Sequence, residues 1–93
     1  MKARVIHLDP RAVAVDVVED KLQVALADGR QLLVPLEWSP RLLRATPGQR
    51  CEVELIAKGR LLHWPAVDED IDVKSLLGCD VLIVPPDEDL GLD

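Results

Sequence analysis

The chain has 93 residues and a mass of 10.3 kDa, the size of a single domain. Apolar residues make up 48%, which excludes a disordered chain, and they are almost all aliphatic: 16 Leu, 12 Val and 4 Ile against 2 Trp, with no Phe or Tyr. The formal net charge of −6 argues against a nucleic-acid binder, which needs excess Lys and Arg to displace counterions, and the lack of aromatics argues against stacking on single strands.

The N-terminus, Met1 to His7, carries Lys2 and Arg4 and has no apolar core of the kind a secretory signal requires. The longest stretch free of Asp, Glu, Lys and Arg is Leu61 to Val67, seven residues. A membrane helix needs about 20. The expectation is a small cytosolic protein of bacterial type. Cys51 and Cys79 are 28 positions apart with no C-x-x-C pattern, so two reduced, partly buried thiols are expected.

Val13, Val15 and Val17 alternate with smaller or polar residues, the period of a strand. After Glu19-Asp20, the run Leu22, Val24, Leu26 gives a second strand. Asp28-Gly29 has the composition of a two-residue type I′ hairpin loop. In that register Val24 faces Leu33 and Ala25 faces Leu32, leaving apolar side chains on both faces of the hairpin. Ser39-Pro40 reads as a helix N-cap with Pro at the first position, with Leu42 and Leu43 inward and Arg41 and Arg44 outward. Thr46-Pro47-Gly48-Gln49 fits a capping box. Two short helical turns are expected rather than one helix.

Cys51 to Ala57 reads as a strand with Val53, Leu55 and Ala57 inward. Lys58-Gly59 turns it and Arg60 to Trp64 returns, so that Glu54 faces His63 and Val53 faces Trp64. The Glu54–His63 pair is read as structural, with Trp64 on the core face. Pro65 ends the strand. Asp70 or Asp72 caps a short helix ending at Leu77, closed by Gly78. Val81 to Val84 is a short β-prone run ended by Pro85-Pro86, and Asp87 to Asp93 forms a tail. The fold expected is α+β: one small domain over residues 1–78, built from antiparallel β-hairpins with short helices packed on the sheet. A C-terminal extension with an acidic tail follows over 79–93.

Charge is unevenly placed. Residues 1–65 hold ten Lys+Arg and eight Asp+Glu, giving +2, whereas residues 66–93 hold one Lys and nine Asp+Glu, giving −8. The densest segment is Trp64-Pro65-Ala66-Val67-Asp68-Glu69-Asp70-Ile71-Asp72. Three uses compete for it. The first is helix capping, where acids favour the positive end of the helix dipole, although one helix end needs only one or two. The second is docking of a basic partner through Trp64, Asp68, Glu69, Asp70 and Asp72. The third is a cation loop, since Asp68, Asp70 and Asp72 have the spacing that opens an EF-hand. Val73 then stands where Gly is needed and Cys79 where a bidentate Glu belongs. No catalytic residue, metal or cofactor is assigned. His63 lacks a nucleophile in a recognisable motif, and no Gly-rich phosphate loop is present. Arg41, Arg44 and Arg50 read as a solvated face that can receive acidic residues.

The stretch Leu22 to Leu36, then Pro40-Arg41-Leu42-Leu43-Arg44-Ala45-Thr46-Pro47 and Gln49-Arg50, resembles the domain-of-unknown-function 2442 family. The resemblance is strongest at Gly59-Arg60-Leu61-Leu62-His63-Trp64-Pro65, running through Asp68-Glu69-Asp70-Ile71-Asp72-Val73 to Leu76-Leu77. It implies a small α+β fold. Some relatives are fused to helix-turn-helix domains, and others look like members of a two-gene arrangement similar to a toxin–antitoxin pair. This is an association, not a mechanism. The function expected is therefore a non-enzymatic protein-interaction module, a regulatory, antitoxin-like partner of a basic protein or of a second copy. One alternative is a small metal-dependent enzyme using Asp68, Asp70, Asp72 and His63. The other is a self-assembling homodimer. Neither membrane insertion nor direct nucleic-acid binding is expected.

Overall fold

A computed structural model describes residues 8–78 and the strand Leu82–Val84. The order of elements is β1 (Ala12–Val18), β2 (Lys21–Leu26), β3 (Gln31–Pro35), α1 (Pro40–Arg44), α2 (Pro47–Cys51), β4 (Glu54–Ile56), β5 (Leu61–Trp64), β6 (Glu69–Asp72), α3 (Val73–Leu77) and β7 (Leu82–Val84), with one-turn 3-10 segments at Leu36–Trp38 and Ala57–Gly59. Two antiparallel sheets result, one in the order β1-β2-β3-β7 and the other β4-β5-β6. The fold is α+β, as expected. Because β7 pairs with β3, the four-stranded sheet extends beyond residue 78. The acidic residues 87–93, His7 and Cys79 lie outside the described residues.

The first hairpin departs from the expected register by one residue. Val24 pairs with Leu32 and Ala25 with Gln31. The loop is Ala27-Asp28-Gly29: Leu26 N–H donates to the Arg30 carbonyl at 2.9 Å, Gly29 N–H donates to the Leu26 carbonyl at 3.0 Å, and only Gly29 has positive φ, +94°. This is the three-residue hairpin with a left-handed Gly, not the two-residue type I′ turn. A one-residue slip exchanges the faces of a strand. Leu22, Val24, Leu26, Leu32 and Val34 therefore gather on one buried face. The opposite face takes Gln23 and Gln31, whose amides bond at 2.6 Å, so the hairpin is not apolar on both sides. In β1 a bulge between Ala12 and Ala14 buries Ala12 and turns Val13 outward at 58% exposure, while Val15 and Val17 pack on the core.

The Asp28 carboxylate sets this loop. It accepts from the backbone N–H of Asp9 and of Arg30 and from the Arg30 guanidinium. Burial pushes its pKa up, but these hydrogen bonds outweigh burial and hold it below the usual carboxylate value. A depressed carboxyl stabilises the fold above its unfolded pKa of about 3.9, and that contribution is lost as pH falls through the folded value. Exchange protection of the Asp9 and Arg30 amides should fall as pH drops below about 4. Asp28→Asn, which keeps one acceptor oxygen, should cost about 1–3 kcal/mol and abolish that acid-dependent loss. Protection that is independent of pH in the parent chain would contradict this role.

The connector follows its sequence signals. Ser39 caps α1, its hydroxyl accepting from Leu42 N–H. Thr46 and Gln49 form both bonds of a capping box. Leu42 is buried, but Leu43 is 48% exposed, because a five-residue helix presents only one position to the core. Cys51 ends α2 instead of opening a strand, and its thiol is free and exposed rather than partly buried. Leu55 and Ala57, expected inward, are exposed on the short β4 and the turn after it.

Lys58-Gly59 makes the tight turn. Arg60 N–H donates to the Ala57 carbonyl, and both central residues have positive φ, +58° and +82°. Glu54 pairs with His63 as the spacing predicts. One hydrophobic core joins the two sheets: Leu22, Val24, Leu32 and Val34 from the first meet Leu62 and Trp64 from the second, with Leu36, Leu42, Val73 and Leu76 closing the sides.

Candidate functional site

The acidic run Glu69–Asp72 is a strand, β6, that leads directly into α3. Its acids disfavour β structure individually. The alternation of Val67, Glu69, Ile71 and Val73 with Asp68, Asp70 and Asp72 nevertheless gives it one face toward the core. Hydrogen bonding to β5 then separates residues that look contiguous in sequence. Trp64 pairs with Glu69, Leu62 with Ile71, His63 with Asp70, and Leu61 with Asp72.

Trp64 is fully buried, and its indole N–H donates to the Arg50 carbonyl at 2.9 Å. It presents no exposed part, which removes it from the expected docking edge. Glu69 shares its face. The Ser39 hydroxyl donates to Glu69 Oε2 at 2.6 Å while accepting the α1 capping bond from Leu42 N–H. Glu69 is thus a strut between β6 and the connector, not an acid offered to a partner. Ser39→Ala removes the cap and leaves Glu69 Oε2 without its donor, while Oε1 keeps the Asp70 N–H. A loss of about 1–2 kcal/mol is expected in urea unfolding. A ΔΔG near zero would show that the strut is idle.

The remaining acids divide in the same way. Asp72 caps α3, its carboxylate accepting from Lys74 N–H at 2.9 Å, and Gly78 closes the helix as predicted. Asp70 Oδ1 lies 2.5 Å from His63 Nδ1. The imidazole therefore pairs with Asp70 rather than Glu54, although both flank it. The sequence reading lacked β6 and with it the second neighbour. Asp68 sits at φ +53°, a conformation Asp tolerates in turns; its carbonyl accepts from the Arg41 guanidinium, and its carboxylate is 3.9 Å from the same group with its side chain 94% exposed. Among the described residues no three of His, Cys, Asp and Glu converge as a metal-holding group, so Asp68, Asp70, Asp72 and His63 do not form the cluster that the metal-enzyme alternative requires.

Two roles were missed. Arg50 is not simply solvated: its guanidinium donates to the Leu42 and Leu43 carbonyls at 2.8 and 2.6 Å and caps the end of α1. The second is a groove of about 1050 Å³, bounded by the segment before β1, the β4–β5 turn, α3 and β7. Leu8, Leu61, Leu77 and Ile83 supply its apolar lining, and Arg60 and Lys74 its outward cations. Its two carboxylates are engaged. Asp9 pairs with Arg11 at 2.6 Å, and the Arg11 hydrogen bond holds its carboxyl at about 2. Asp72 is the cap of α3. Arg30, also on the wall, pairs with Asp28 at 2.9 Å. No periodicity marks this groove, because its walls come from five separate segments.

The model of a family described as a protein of unknown function, DUF2442, matches residues 12–79. No curated protein and no solved structure matches the chain.

Proposed function

Because the chain belongs to the DUF2442 family, whose function is unknown, we propose that it is a non-enzymatic protein-interaction module, the antitoxin-like regulatory role being what the family resemblance implies. The observation carrying this reading is the groove between the sheets, an apolar floor edged by cations, of a kind suited to a segment of another chain. The acidic run contributes less than its composition suggests, since Glu69, Asp70 and Asp72 each hold a bond within the domain. Placement in a bacterial cytoplasm belongs to the same proposal. No described helix is long and apolar enough to cross a membrane.

The test is comparative capture with the full chain. Arg60→Glu with Lys74→Glu should lose the partner that the parent chain recovers, while Asp68→Asn with Asp70→Asn should keep it. The reverse pattern would return the docking surface to the acidic hairpin. A second copy is the reading favoured by β1, which has no strand on its outer side among the described residues. Light scattering that gives a monomer mass at micromolar concentration would dismiss it.

A further inference from the structure

We infer that the groove takes an acidic, leucine-bearing segment of a partner protein; the inference rests on the groove being the docking surface and adds the chemistry of what occupies it. The carboxylates and cations of the groove pair unequally. Arg11 is taken by Asp9 and Arg30 by Asp28. Asp72 is fixed to the start of α3 by the Lys74 backbone N–H. Arg60 and Lys74 have no carboxylate within ion-pair distance among the described residues, and both side chains are exposed beside the groove. The Arg60 charge also contributes to lowering the Asp9 carboxyl.

An incoming carboxylate therefore meets two cations and displaces no ion pair formed among the described residues. An incoming Lys or Arg would meet only carboxylates already engaged, and would have to break the Asp9–Arg11 contact or the α3 cap. Charge complementarity thus selects an acidic segment. The lining of Leu8, Leu61, Leu77 and Ile83 adds a requirement for aliphatic side chains, and the low-dielectric wall strengthens the attraction of the cations beside it. The sign is opposite to the one that the chain's own net charge of −6 suggests, because the groove carboxylates among the described residues, Asp9 and Asp72, are both engaged.

The experiment is amide-shift titration of the isotope-labelled full chain with a short capped peptide of alternating Leu and Asp, alongside its Leu–Lys counterpart. The acidic peptide should shift amides of 57–61 and 73–78. Its Kd should rise by about tenfold in Arg60→Gln with Lys74→Gln, and similarly on going from low to physiological salt. Unchanged melting of the double variant separates lost binding from lost fold. If both peptides bind these amides equally, or only the Leu–Lys peptide does, the acidic assignment falls while the groove reading stands. If neither shifts them, both fall. Binding of the acidic peptide only after joint Asp87→Asn, Glu88→Gln and Asp89→Asn substitution would replace the partner by the chain's own acidic residues.

Discussion

Gly59→Ala is expected to cost about 2–5 kcal/mol, the sum of roughly 1–2 for a left-handed residue acquiring a Cβ and 1–3 for overpacking. Gly59 sits at φ +82° in the turn joining β4 to β5, against the backbone of Ala12 in β1. An added Cβ would collide with the Ala12 carbonyl oxygen and stand 3.1 Å from its nitrogen. Backbone cannot rotate aside as a long side chain can, so one sheet must move from the other. The same turn borders the groove, so the variant should also disturb the proposed docking surface. Gly48→Ala is the matched control. Its Cβ would find only Thr46 Oγ1, 4.0 Å away, within the helical α2, and a gain of about 0.5–1 kcal/mol is expected there. Equal denaturation midpoints for the two variants would refute the role given to Gly59.

Trp64→Ala should cost about 3–5 kcal/mol, a large share of the roughly 5–15 that holds a domain together. Its indole is fully buried in the core shared by the two sheets. Trp64→Phe separates two contributions. It keeps most of the ring volume but removes the N–H that bonds the Arg50 carbonyl, for a loss of about 1–2 kcal/mol. That bond ties β5 to α2, while the Arg50 guanidinium ties α2 to α1. Exchange at the connector amides should therefore quicken in Trp64→Phe more than exchange in β2. A tryptophan that tolerates Ala with full stability would mean that it lies outside the core.

What the sequence revealed depended on how local each signal was. The caps at Ser39, Thr46 and Asp72 involve residues two or three apart and were legible directly. The turn glycines were legible as turns but not as turn types. Asp28-Gly29 has the stronger composition for a type I′ loop, yet positive φ values run through Ala57, Lys58 and Gly59 instead. The carboxylate of Asp28 is held by Arg30 and by Asp9, 19 residues away, and a turn motif carries no record of that distant partner. The acidic run was misread for the same reason. Its charges were visible, but the pairing with β5 that sends Glu69 inward and Asp70 to His63 is a tertiary fact. The groove was the least legible feature, since Leu8, Arg60, Lys74 and Ile83 meet only when both sheets are in place.

A partner is expected to meet this chain at the groove between the sheets and not along the acidic hairpin. Hydrogen–deuterium exchange of the full chain, alone and with its captured partner, tests it most directly. New protection is expected at 57–61 and 73–78, with 65–70 unchanged. Protection confined to 65–70, with the groove segments exchanging as in the free chain, would contradict it.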